Sequence, residues 1–153
     1  MWGVNVPERD MADFKVGDKH VVPLAELKPL AESIWRESVP GFAVWLSGDL
    51  GAGKTSFVQA LTRVAGAEHA RSPSFALIHE YPAACGLIIH VDCYRLRSPG
   101  EAIDLDLTEL SERARMMLIE WPERAGRHAP APDAHIRFSH CESPDKRSLE
   151  RIA

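Results

Sequence analysis

A three-layer α/β domain with a mixed, partly antiparallel sheet is predicted by this sequence, on three observations. The apolar run Phe42–Leu46 has the pattern of a strand and feeds into GDLGAGKT, from Gly48 to Thr55. That run fits G-x-x-x-x-G-K-[ST], the phosphate-binding P-loop. An amphipathic helix pattern leaves it, with Phe57, Val58, Leu61, Val64 and Ala65 on one face. Two further strand patterns, Phe75–Tyr81 and Leu87–Asp92, are joined by five residues, which suits an antiparallel hairpin. Strand, loop, helix and hairpin together predict a P-loop NTPase-like fold. Only two or three long helices are convincing, so the domain is a small one of its kind.

The remaining elements follow in order. Residues 1–18 are polar and unpatterned and are expected to be a flexible tail, leaving 19–153 as one domain. Val21–Leu24 reads as a short edge strand, because Pro23 would spoil a central one. Leu27, Leu30, Ala31, Ile34 and Trp35 form a helical stripe that ends near Pro40-Gly41. Gly66 is placed to cap the helix after the P-loop. Pro82 to Gly86 reads as a turn, and Pro99 to Leu110 as an acidic loop with a short helix. Leu110–Arg115 is expected to be helical. Met116–Glu120 is a buried-type strand ending in a carboxylate. A loop with Pro122, Pro130 and Pro132 leads to two short strands, near Ala134–Phe138 and Leu149–Ile152.

Composition narrows the setting. The chain has 153 residues, enough to bury a core without disulfides or metals. A hydrophobic content of 45% is ordinary for a globular protein. The net charge of −4 argues against a broad electrostatic grip on nucleic acid. Cys85, Cys93 and Cys141 are odd in number and form no C-x-x-C pair, so free thiols in a reducing cytoplasm are expected. No apolar run approaches the ~20 residues of a membrane span, and the first residues carry acids rather than a signal core.

The chemistry centres on the P-loop. Gly48, Gly51 and Gly53 allow dihedrals that let successive N–H groups point inward as an anion nest. The positive end of the following helix faces the same point. The expected nucleotide-binding set is Gly48, Asp49, Leu50, Gly51, Ala52, Gly53, Lys54, Thr55 and Ser56. Lys54 would add a full charge on the β- and γ-phosphates of a nucleotide, and Thr55 a hydroxyl on Mg²⁺. The second metal-side carboxylate is expected at the end of a neighbouring strand, where Glu120 stands after four apolar residues.

Other residues carry two readings each. Asp92 ends a strand; it can orient or deprotonate the attacking water, hold a water on the metal, or cap the turn before Tyr94. Ser72 and Ser74 can sense the γ-phosphate from a switch-like segment or cap a turn at Pro73. His79 and His90 can meet across the hairpin; no third ligand has metal spacing, so ordinary core or surface histidines are expected. Arg95 and Arg97 can reach phosphates, sit in a solvated loop, or form a structural ion pair with the acidic segment. Trp121 can stack on a ligand or simply pack.

Taken together, the segments GDLGAGKT, SPSF (Ser72–Phe75), EY (Glu80-Tyr81), HVDCYRL (His90–Leu96) and LIEWPER (Leu118–Arg124) resemble the TsaE (YjeE) family. The resemblance covers residues 20–153. That family consists of small bacterial P-loop ATPases required for threonylcarbamoyladenosine modification of tRNA. The resemblance implies Mg²⁺ positions at Thr55 and Glu120, a catalytic carboxylate at Asp92 beside Lys54 and Glu120, and a switch at Ser72 and Ser74. Position 74 departs from the more usual SPTF. It also implies that Trp121 lies near the nucleotide or a partner, and that a C-terminal arginine reaches the nucleotide, Arg147 or alternatively Arg151. It implies ATP and Mg²⁺ as cofactors, TsaB and TsaD homologues as partners, and tRNA met only through their complex. A small-molecule kinase and a non-hydrolysing nucleotide sensor are the rival readings.

Overall fold

The computed structural model describes residues 13–68 and 77–153. Seven strands form one sheet: β1 (Lys19–Pro23), β2 (Phe42–Ser47), β3 (Ile78–Ala83), β4 (Gly86–Asp92), β5 (Met116–Glu120), β6 (Ala134–His140) and β7 (Lys146–Arg151). Their order across the sheet is β1-β7-β6-β2-β5-β4-β3. β2 runs parallel to both β5 and β6, and β5 runs parallel to β4. The outer pairs, β3 with β4, β6 with β7 and β1 with β7, are antiparallel. The sheet is therefore mixed, with a parallel centre and antiparallel margins.

Alternation along the central strands builds the layers. Val44, Leu46, Ile88, Met116 and Leu118 face one side, where they meet Leu30, Ile34, Phe57 and Leu61 of α1 (Lys28–Glu37) and α2 (Lys54–Val64). Ile89, Val91, Met117 and Ile119 face the other side, against Leu107 and Leu110 of α3 (Leu107–Arg113) and Ala102 of a 3₁₀ segment. β5 is buried along its whole length, as its unbroken apolar run requires. Among the described residues no helix is long and apolar enough to cross a membrane.

Several boundaries differ from the sequence expectation. β3 continues through Pro82 to Ala83, and the hairpin closes with Ala83 opposite Gly86. Pro82 is tolerated because β3 is an edge strand, where a missing ladder donor costs little. Phe75 and Ala76, expected to begin this strand, lie outside the described residues. α3 starts at Leu107, three residues before the expected helix, because the Asp106 carboxylate accepts the Glu109 N–H and starts the turn. β6 extends to His140 and β7 begins at Lys146, each longer than predicted, because the two pair with each other along their length.

Within the stretch expected to be a tail, residues 13–18 are anchored to the domain. Phe14 is buried, and its N–H donates to Ser33 Oγ at 2.7 Å. Its carbonyl accepts from Arg151 at 2.7 Å. One aromatic residue in a polar stretch gives no periodicity, so its docking was invisible to patterning.

Candidate phosphate-binding site

The site lies where the parallel strands end. β2 delivers the chain to Gly48, β5 ends at Glu120 and β4 ends at Asp92, with Asp92 opposite Glu120 in register. Open α/β sheets place ligands at this carboxyl edge.

The loop is held by steric necessity. Gly48 has φ +138°, and a Cβ there would overlap the Phe138 carbonyl oxygen of β6. Gly53 has φ +106° and leads directly into α2; a Cβ would come within 2.8 Å of Leu24 Cδ2. At these two points only glycine lets the backbone turn and still touch its neighbours. The first turn of α2 then carries Lys54, Thr55 and Ser56, with its unpaired N–H groups directed at the loop.

The expected residues divide by position. Leu50, Gly51, Ala52, Gly53, Lys54, Thr55 and Ser56 line a cleft of about 200 Å³ together with Asp92, Glu120 and Trp121. Gly48 and Asp49 stand behind it, and their carbonyls accept from Lys54 Nζ, the Asp49 contact at 2.9 Å. Arg147 also lies behind the loop, braced on the Gly51 carbonyl at 3.2 Å and on Pro144 and Lys146 carbonyls. Arg151 lies elsewhere, bonded to Phe14 and Ala153 carbonyls and paired with Glu37. Ser72 and Ser74 lie outside the described residues.

The polar centre is compact. Thr55 Oγ1 stands 3.3 Å and 3.4 Å from the two Glu120 carboxylate oxygens. Asp92 does cap the following turn, accepting the Tyr94 N–H at 3.0 Å on Oδ1, while its side chain still lines the cleft. Lys54 is almost wholly buried. Burial holds its pKa below the ordinary 10.5, against the raising pull of Glu120, Asp92, Glu123 and Asp49. Its ammonium also sits 4.5 Å from the centre of the Trp121 ring.

Trp121 adopts φ +56°, a backbone conformation that bulky residues rarely take. Its ring packs against Tyr94 at 5.1 Å, and the Arg124 guanidinium lies 5.2 Å from it. Trp121 thus packs in the protein and walls the cleft at once.

Three contributors escaped the sequence reading. Leu24 lines the cleft from a segment with no motif of its own, and Tyr94 from within HVDCYRL, where it carried no assigned role. His90 is the third: its Nε2 is 2.5 Å from Glu120 Oε2, and both side chains are buried. The available signal was parity, since His90 stands two residues before Asp92 and so shares its face of β4. His79 and His90 do meet across the hairpin, with rings stacked at 5.6 Å. Among the described residues no three His, Cys, Asp or Glu side chains gather as a metal cluster. A hydroxyl opposite a carboxylate beside a phosphate nest is instead the hard-oxygen set that suits Mg²⁺, completed by substrate phosphates.

Several known proteins are similar to this chain. A family model described as "Threonylcarbamoyl adenosine biosynthesis protein TsaE" matches residues 23–149. The "tRNA threonylcarbamoyladenosine biosynthesis protein TsaE" of Haemophilus influenzae is 33% identical over 111 residues, covering 72% of this chain and 69% of that protein. The Rickettsia bellii protein of the same name is 36% identical over 124 residues, covering 80% and 85%. The match to the Rickettsia conorii protein spans only 57% of that relative. The crystal structure of YdiB from Bacillus subtilis superposes with a TM-score of 0.67 at 25% identity, covering 88% of this chain and 85% of that one.

Proposed function

The chain belongs to the TsaE family of tRNA threonylcarbamoyladenosine biosynthesis proteins, and we propose that within that role it is a Mg²⁺-dependent ATPase. The observation that supports this best is the convergence of Thr55 and Glu120 at the mouth of the P-loop, with Asp92 lining the same cleft. A phosphate nest alone binds anions; a nest facing two carboxylates can also orient a nucleophile.

In this reading the N–H groups from Asp49 to Thr55 take the phosphates of ATP. Lys54 exchanges the Gly48 and Asp49 carbonyls for β- and γ-phosphate oxygens. Thr55 and Glu120 hold Mg²⁺, which supplies charge neutralisation on the phosphates when bound. Asp92, with one oxygen engaged by the Tyr94 N–H, uses the other to orient the attacking water. Arg147 steadies the loop from behind through the Gly51 carbonyl. Ser72 and Ser74 form the segment that follows γ-phosphate loss. The output passes to TsaB and TsaD homologues in the cytoplasm, and tRNA is met through them.

The test is a phosphate-release assay on the chain alone and with both partner homologues. ATP hydrolysis stimulated by the partners and lost in Asp92→Asn is the expected result. Unchanged turnover in that variant would sink the water-orienting role and favour a nucleotide sensor. A phosphorylated small-molecule acceptor in place of free phosphate would point to a kinase.

A further inference from the structure

We propose that His90 is a positioning residue that fixes the Glu120 carboxylate in the orientation that receives the metal; this rests on the Mg²⁺ reading above. Glu120 is 4% exposed and His90 5% exposed, so each depends chiefly on protein partners. A buried carboxylate needs hydrogen-bond partners. Among the described residues, the Thr55 hydroxyl offers Glu120 contacts of 3.3 and 3.4 Å, near the outer limit of a useful bond. His90 Nε2 at 2.5 Å is the short one.

The contact also has a direction. It engages Oε2, and the Thr55 hydroxyl stands in front of both carboxylate oxygens at 3.3 and 3.4 Å. In the arrangement that leaves the carboxylate free to take a cation, the imidazole Nε2–H donates and Oε2 accepts. Pinning Oε2 from the β4 side fixes the whole carboxylate plane against the Thr55 hydroxyl of α2. The ring is itself immobilised, since β4 lies between β5 and β3 and the His79 ring stacks on it at 5.6 Å and 24°. Histidine or amide groups behind a metal-binding carboxylate tune affinity by orienting it. A histidine that merely filled core space would need no polar atom aimed at the one buried acid among the described residues.

The experiment titrates Mn²⁺ into the protein with bound ADP and follows the loss of the free-ion electron paramagnetic resonance signal. It is a binding measurement, independent of turnover. His90→Leu should weaken Mn²⁺ binding by ~10–100-fold. ADP affinity in EDTA should stay within about twofold, because the phosphate nest is untouched. His90→Gln, whose amide nitrogen can stand where Nε2 stands, should recover most of the loss. If His90→Leu does not fold, His90→Asn replaces it; its amide ends at the Nδ1 position, too short for Oε2, and the same loss is expected. Wild-type Mn²⁺ affinity in the Leu or Asn variant, or equal impairment in Gln, overturns the inference. Glu120→Gln separates the two ideas. If it weakens Mn²⁺ binding while His90→Leu does not, only the positioning role falls. If Glu120→Gln also binds Mn²⁺ normally, the metal reading fails and takes the positioning role with it.

Discussion

The parallel centre of the sheet and its antiparallel margins use similar residues for different ends. β2, β5 and β4 each finish at the same edge, and each releases a chemically competent group there: the P-loop, Glu120 and Asp92. The margins carry comparable polarity, yet there it fastens strands and segments to one another. β7 shows both uses in one strand, with Arg147 braced on the P-loop and Arg151 clamping Phe14 and Glu37 at the far side. Polar residues become a site where parallel strands end together. Elsewhere the same residue types act as fasteners.

Two glycines give the sharpest way to break that contrast. Both Gly48 and Gly66 have positive φ, at +138° and +68°. A Cβ at Gly66 meets nothing within 4 Å, whereas at Gly48 it would overlap the Phe138 carbonyl. Gly66→Ala should cost about 1 kcal/mol, the left-handed backbone penalty alone. Gly48→Ala should cost about 4 kcal/mol, since backbone strain and overpacking combine, and should abolish ATP binding. Chemical denaturation of both variants measures the difference; equal costs would mean the loop can leave β6 freely.

Lys54→Ala comes next. Removing a charge-assisted partner of the phosphates should weaken ATP binding by about 100-fold, near 3 kcal/mol, by calorimetry. Normal binding in this variant would sink the P-loop reading. A pH dependence follows from the same group. Burial lowers the Lys54 pKa, so its ammonium is lost at a pH below the ordinary 10.5, and ATP affinity should fall as pH rises through that lowered value.

The two β7 arginines then separate binding from stability. Arg151→Ala removes a buried donor to two carbonyls and the partner of Glu37, and should cost about 2–3 kcal/mol in unfolding with ATP affinity unchanged. Arg147→Ala should weaken ATP binding by about tenfold through the freed Gly51 carbonyl. If Arg151→Ala moved ATP affinity and Arg147→Ala did not, their assignments would be reversed.

How much could be read beforehand follows the same division. The P-loop, the apolar run of β5 and the hairpin announce themselves because local spacing dictates them. Arg147 and Arg151 could not be told apart from spacing, because the loop before β7 hides its register; pairing with β6 sets it. His90 was legible as a strand residue but not as the partner of Glu120, because that needs β4 and β5 to be neighbours in a parallel pair. Phe14 needed the tertiary fold entirely.

The smallest expected effect lies at the seam between centre and margin. Ser47, the last residue of β2 before Gly48, has its Oγ 2.7 Å from His135 Nε2 on β6. In the tautomer with Nε2 bare, this nitrogen accepts from the Ser47 hydroxyl. Burial first and Arg137 second hold the His135 pKa below the ordinary 6.5, with Glu123 pulling the other way. The unfolded chain therefore binds this proton more readily than the native one. The stability tied to neutral His135 is present above pH 6.5 and is lost as pH falls through the lowered native value. His135→Gln keeps an acceptor for Ser47 but does not titrate. Its melting temperature should fall less than the parent's between pH 7 and pH 5. Identical slopes would show that the seam is indifferent to this proton, and that the entry to the P-loop is held by β2 and β6 backbone pairing alone.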